Sequence, residues 1–262
     1  MGAGHWGVMF VVDRCLPSEW VIPAPPPGLG WEDIHIWRAD LDLPSASLAP
    51  LEASLTADER QRAARYHFPA HRDRWVAARG ILRQILAGYL CIDPAWVRFD
   101  YGAYGKPAVR GMGEHGLCFS LTHAEGLALY AVTLRRRVGI DLEVPRQDLD
   151  IEGIAARQFS TAEGAALAAQ PAGQRVEGFF RCWTRKEAYV KALGLGLSRP
   201  LDRFTVSLGP DPALLADADD PSAPERWSFH APDPGLGHVA ALAVESQPCR
   251  LSCWGWSPDA PG

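Results

Sequence analysis

No run of apolar residues in this sequence approaches the ~20 that a membrane-spanning helix needs. The N-terminus, MGAGHWGVMFVV, has neither the basic opening nor the long apolar centre of a secretory signal, and Trp6 breaks the myristoylation pattern. Positive charge is also in short supply. Twenty-six Lys and Arg stand against 31 Asp and Glu, a net charge of −5, which argues against a general nucleic-acid binder. The six cysteines, at 15, 91, 118, 182, 249 and 253, include one close pair, and no histidine cluster completes a zinc site around it. A chain this long does not need disulfides to stabilise its core, so all six are expected as reduced, mostly packing, thiols. What is left is an ordinary globular composition, expected in the cytoplasm, without membrane or nucleic-acid partners.

Residues 22–30, IPAPPPGLG, form a Pro/Gly stretch that sets off an N-terminal extension over 1–30. Residues 209–225 read as a polar surface loop, 257–262 as a frayed tail, and Arg135-Arg136-Arg137 as a solvated turn between strands. Between them one pattern occurs twice. Ile34–Trp37 alternates as a strand, and Thr56-x-x-Glu59 is a capping box opening a helix to about His67. A longer helix is expected over Ala70–Leu90, with Trp75, Ala78, Leu82, Ile85, Leu86 and Tyr89 on one stripe. Strands follow near 97–101, 117–121 and 127–134. The second pass begins with the strand Val138–Glu143, then a capping box at Ser160-x-x-Glu163 and a helix over Val176–Leu193. Strands near 203–208, 227–230, 239–245 and 251–256 complete it. The expectation is an α+β fold made of two similar subdomains, 31–136 and 137–256, with a ligand cleft where they meet. A single irregular α+β domain is the alternative.

Four short segments carry candidate chemistry. In Val138-Gly-Ile-Asp-Leu-Glu143, Val138, Ile140 and Leu142 point to a core, so Asp141 and Glu143 share the opposite face. Paired carboxylates repel unless a cation or solvent separates them, and Mg²⁺ takes one or two carboxylates with phosphate oxygens. An exposed polar strand face is the structural alternative. On the second long helix, Phe179, Phe180, Trp183, Val190 and Leu193 mark a buried stripe that also takes in Glu187, with Lys191 one turn on. An inward carboxylate must be paired, coordinated or neutralised; a simple Glu–Lys helix pair is the alternative. Tyr104-Gly-Lys106-Pro107 is a stiffened turn that presents one lysine, and Phe119-Ser-Leu-Thr122-His123 is a strand end with a hydroxyl and an imidazole.

In this order, YGKP, FSLTH, GIDLE and WTRKEAYVKALGLGL resemble the 4'-phosphopantetheinyl transferases of the surfactin-synthetase-activating type. The resemblance takes in Arg62–Leu86 and covers about residues 34–208. It implies a pseudo-dimer of α+β halves in one monomeric chain. It further implies transfer of the phosphopantetheine arm of coenzyme A to a serine of an acyl or peptidyl carrier protein, with release of 3',5'-ADP. Such carriers serve fatty-acid, polyketide or nonribosomal peptide synthesis, including secondary metabolism. Residue by residue, it implies Asp141, Glu143 and Glu187 as holders of Mg²⁺ (or Mn²⁺), and Lys191 as a phosphate contact and catalytic cation. Lys106, Thr122, His123 and Arg62 would bind coenzyme A at its nucleotide end, with Asp141 beside them, and Glu187 is the candidate base. Glu59 departs from the pattern, standing where a second basic residue is expected, which implies either weaker affinity for the 3'-phosphate or its supply by Arg79 or Arg74. The segment Pro145–Phe159 is the implied carrier-docking region. Two other readings stay open: a Mg²⁺-dependent nucleotide pyrophosphate hydrolase, and a non-catalytic carrier- or coenzyme A-binding protein.

Overall fold

The computed structural model describes residues 20–23, 27–112, 116–235, 237–245 and 249–259. The expectations for the first 19 residues and for the end of the tail lie outside them. The first pass consists of β1 (Asp33–Asp40), α1 (Ser45–Ala53), α2 (Ala57–Ala63), α3 (Pro69–Leu90), β2 (Phe99–Tyr101), β3 (Pro107–Val109), β4 (Leu117–Ala124) and β5 (Leu127–Leu134). The second repeats the order as β6 (Val138–Glu143), α4 (Ile151–Gln158), α5 (Thr161–Ala168), α6 (Ala172–Leu193), β7 (Phe204–Val206), β8 (Leu214–Asp217), β9 (Trp227–His230) and β10 (Val239–Glu245). A short α7 (Ala223–Arg226) precedes β9, and β11 (Arg250–Gly255) ends the series. The fold is α+β and pseudo-dimeric, as the repeat implied.

The correspondence is close. Helices α3 and α6 are both 22 residues long, and α2 and α5 both start from capping boxes, at Thr56 and Ser160. Strand order is β1-β5-β4 in one sheet and β6-β10-β9 in the other, antiparallel throughout. Strand β11 adds to the first sheet, pairing parallel to β1 with Ile36 opposite Cys253. The chain after residue 137 therefore supplies one strand to the first half.

Packing forms three layers of core. One lies between α3 and the first sheet, around Ile81, Leu82 and Tyr130. Another lies between α6 and the second sheet, around Phe179, Tyr189 and Ala241. The third joins the two sheets, with Ile34, Ile36 and Leu129 against Val138, Ile140 and Leu242. Alternation thus acts as expected in β6: its apolar residues face the other half and its carboxylates face α6.

Both capping-box glutamates do a second job. Glu59 caps α2 and also pairs with Arg79 (2.6 Å) and the buried Arg83 (2.7 Å) of α3. Glu163 caps α5 and pairs with Lys186 of α6 at 2.8 Å, both side chains fully buried. Lys186 further donates to Leu201 O and Phe204 O, so the buried ammonium is fully partnered. Each half thus ties its short helix to its long one by the same device.

Several expectations are corrected. Residues 209–225 are not simply a loop: β8 pairs with β7, and Asp217 is buried, accepting from Tyr189 Oη (2.9 Å) and pairing with Arg199 (2.5 Å). The basic turn is only partly solvated. Arg136 is buried and donates to Asp33 O at 3.0 Å, and Arg137 grips Glu245 through two 2.6 Å bonds. Cys253 is disulfide-bonded, whereas Cys91, Cys118, Cys182 and Cys249 are thiols. The helix expected to reach His67 stops at Ala63, because Pro69 starts a new one. Helix α1, which carries Pro50, was not anticipated.

Candidate active site

The site begins with a close approach of strand to helix. Gly139 of β6 lies against α6; a Cβ there would stand 2.0 Å from Ala188 O and 2.4 Å from Ala192 N. Across β10, its neighbour is Ala243, and Asp141 is opposite Ala241. This floor of hydrogen and methyl groups lets α6 lie low on the sheet. Asp141 and Glu143, on the same strand face as Gly139, are thereby brought alongside Glu187 and Lys191 on α6.

Asp141 is 4% exposed. Its Oδ1 accepts from Lys191 Nζ (2.6 Å) and more weakly from Thr122 Oγ1 (3.4 Å). Its Oδ2 is buried with no hydrogen-bond partner among the described residues. Glu143 and Glu187 are half-buried, and both carboxyls are held above their ordinary range. For each, burial is the leading cause and the negative charge of Asp141 the second; Lys191 opposes both. Glu187 also feels Glu143, and the Trp183 indole hydrogen-bonds Glu143. Three carboxylates thus share a groove with one ammonium, and one buried carboxylate oxygen there is unpartnered.

That chemistry fits a divalent cation. Among the described residues, no group of three or more His, Cys, Asp or Glu side chains forms a ready-made metal cage. Mg²⁺ does not require one, since it commonly takes one or two carboxylates and completes its shell with phosphate oxygens and water.

Strand β4 lies beside β6 and divides Ser120, Thr122 and His123 between its faces. Ser120 and Thr122 turn to β6, where Ser120 Oγ accepts from Ile140 N at 3.1 Å. Leu121 and His123 line a cleft of about 460 Å³ with Asp58, Arg62, Trp75 and Arg79. Thr122 and His123, expected to act together, therefore serve different places. The His123 imidazole is held below its ordinary value, first by desolvation and then by the charge of Lys191, so it is neutral at pH 7. Arg62 is exposed, its guanidinium 5.8 Å from the centre of the Trp75 ring. Arg79 is aimed by Glu59 and donates to Tyr101 Oη at 2.8 Å, while Arg74 is held by Asp42. Glu59, which by sequence removes a positive charge, instead orients one.

Lys106 is placed less as expected. Its ammonium donates to Val138 O (3.1 Å) and Ala192 O (3.0 Å), bridging the start of β6 and the end of α6. Helix α6 stops there in left-handed Gly194, φ 73°, which lies against the Lys106 stem. Lys106 and Lys191 line a smaller cleft of about 240 Å³ that shares Gly105, Pro107 and Leu121 as wall residues with the larger one. Arg79, by sequence only a substitute for a missing basic residue, lies in the larger cleft; its i+4 relation to Trp75, a residue of the apolar stripe, is the sequence signal for that place.

The sequence pattern of the 4'-phosphopantetheinyl transferase superfamily matches residues 137–243, which include the strand–helix groove. The chain is 41% identical over 245 residues to the 4'-phosphopantetheinyl transferase HetI of Nostoc sp., covering 93% of this chain and 98% of the relative. It belongs to the 4'-phosphopantetheinyl transferase family. The transferase is also 26% identical over 189 residues to Sfp of Bacillus subtilis, a match spanning 72% of this chain and 82% of the relative. A holo-[acyl-carrier-protein] synthase of Thermotoga maritima superposes on 42% of the transferase and 63% of its own chain, with 20% identity and a TM-score of 0.33, too slight a likeness to build on. No helix among its described residues is long and apolar enough to cross a membrane.

Proposed function

We propose that this enzyme transfers the 4'-phosphopantetheine arm of coenzyme A to a serine of an apo acyl or peptidyl carrier protein, releasing 3',5'-ADP. The observation that carries the reading is the groove in which Asp141, Glu143 and Glu187 meet Lys191, one carboxylate oxygen buried and unpartnered. Asp141, Glu143 and Glu187 would hold Mg²⁺, with Mn²⁺ as a substitute. When bound, the ion would neutralise pyrophosphate charge and favour departure of the nucleotide.

The chain's own residues do the rest. The serine oxygen attacks the phosphorus bearing pantetheine, the phosphoanhydride bond breaks, and the electron pair leaves on 3',5'-ADP. Such transfers depend mainly on positioning and charge. Glu187, its carboxyl raised by burial and by Asp141, takes the serine proton. Lys191, on the same helix face, counters charge growing on the leaving phosphate. The larger cleft, with Arg62, Arg79 and neutral His123, receives the nucleotide end. Thr122, turned inward to Asp141, orients that carboxylate.

The test is incubation with an apo carrier, coenzyme A and Mg²⁺, read by intact mass. The carrier is expected to gain one phosphopantetheine, and a chelator to prevent it. Phosphopantetheine released to water without a carrier would instead make the enzyme a pyrophosphate hydrolase; carrier bound with unchanged mass would make it a binding protein.

Lys106 lines the smaller cleft between Gly105 and Pro107, which also line the larger one, and we assign it to the nucleotide phosphates as well. Lys106→Ala is expected to weaken coenzyme A binding more than dephospho-coenzyme A binding, measured by calorimetry. Equal losses would restrict Lys106 to its bond with the carbonyls of Val138 and Ala192.

A further inference from the structure

The duplicated frame has a second position equivalent to the candidate active site. Because α3 and α6 have equal length, Gln84 and Gly88 stand in α3 where Glu187 and Lys191 stand in α6. On β1, the face turned to α3 carries His35 and Trp37, both bonded to Tyr89 of that helix, where β6 carries Gly139 and Asp141. A cavity of about 450 Å³ opens there. Trp37, Gln84, Gly88, Tyr89, Ile92 and Trp256 are among its walls, and among the described residues no charged side chain lines it.

Its few polar atoms are fixed in place. Tyr89 Oη accepts from Trp37 Nε1 at 2.8 Å and is hydrogen-bonded to His35 Nδ1 at 2.7 Å. Gln84 Oε1 accepts from Trp256 Nε1 at 3.0 Å. Burial pushes the His35 imidazole down to about 4, so this cluster is uncharged at neutral pH. A phosphate or carboxylate entering the cavity would lose its hydration without meeting a cation. Aromatic faces beside a few oriented polar groups suit the opposite kind of ligand.

We infer that this cavity is a second ligand site, separate from the transferase groove, for a neutral and mostly apolar small molecule: an aromatic ring or short acyl chain bearing one hydrogen-bonding group. The inference does not depend on the proposed reaction. The two halves share the strand–helix frame, and at this position the first half carries neither the carboxylates nor the lysine.

The probe is N-phenyl-1-naphthylamine, a neutral fluorescent ring compound, titrated into the full chain with excess coenzyme A present. Saturable fluorescence enhancement, not displaced by coenzyme A, is expected. Gly88 is a wall residue and a Cβ there would meet nothing within 4 Å, so Gly88→Phe adds bulk at the cavity wall without a Cβ clash. Probe affinity in Gly88→Phe should fall about tenfold or more, with carrier modification and melting temperature retained. Ile92→Trp, at an exposed residue beyond the helix end, is a second blocking variant should the first fail to fold. No saturable signal, displacement by coenzyme A, or unchanged affinity in a folded blocked variant would overturn the inference.

Discussion

Glu187→Gln is expected to lower the rate of carrier modification by about 10³-fold or more, because it removes both a metal-holding oxygen and the candidate base. The same change should make the metal-free chain more stable at neutral and alkaline pH. Burial and the charge of Asp141 hold the Glu187 carboxyl above its ordinary 4.5, so the folded chain binds this proton more tightly than the unfolded chain. The protonated group's contribution is complete below about pH 4.5 and is lost as pH rises through the elevated value. Glutamine keeps the shape and has no charge to desolvate. In chelator, Glu187→Gln should therefore melt above wild type at pH 8, and the difference should fade towards pH 4. Loss of transfer with an equal or lower melting temperature at pH 8 would mean that Glu187 is not held against its charge. Full activity in a folded variant at saturating Mg²⁺ would remove Glu187 from both roles.

Gly139→Ala should produce the largest structural effect. Its methyl group would stand 2.0 Å from Ala188 O, a backbone atom in the middle of α6 that cannot swing aside as a side-chain tip can. Strand and helix would have to part, and overpacking of this kind costs roughly 1–3 kcal/mol or more. The parting also moves Asp141 and Glu143 away from Glu187. Stability and transfer should therefore fall together, and excess Mg²⁺ should restore little of either. Thermal melts and the intact-mass assay on the same preparation test this. A variant of wild-type stability would show that strand and helix can separate at no cost.

Much of the groove was legible because its signals are local. Alternation in Val138–Glu143 separated the carboxylates from the core, and helical spacing put Glu187 on the stripe with Trp183 and Val190. Both capping boxes appear as read. What escaped notice depends on distant partners. Glu59 looked like a lost positive charge, yet it aims Arg79 and neutralises buried Arg83, contacts made across 20 and 24 residues. Asp217 lay hidden in a Pro/Asp-rich stretch whose composition reads as loop, although Tyr189 and Arg199 draw it inside. Lys106 read as a phosphate grip because a Gly–Pro turn presents it; nothing nearby could reveal the carbonyls at 138 and 192. The opposed faces of Thr122 and His123 follow from strand alternation alone.

The parallel pairing of β11 with β1 has a consequence for biosynthesis. Domains generally fold as units from the N-terminus as they leave the ribosome. Here the strand that flanks Ile36 comes more than two hundred residues later in the sequence. A nascent chain that has completed β5 still lacks that neighbour and presents β1 as an open sheet edge, which invites intermolecular pairing. A strand translated more than two hundred residues later acts as the bolt on β1, so a stop codon shortly before residue 250 would leave β1 unsealed.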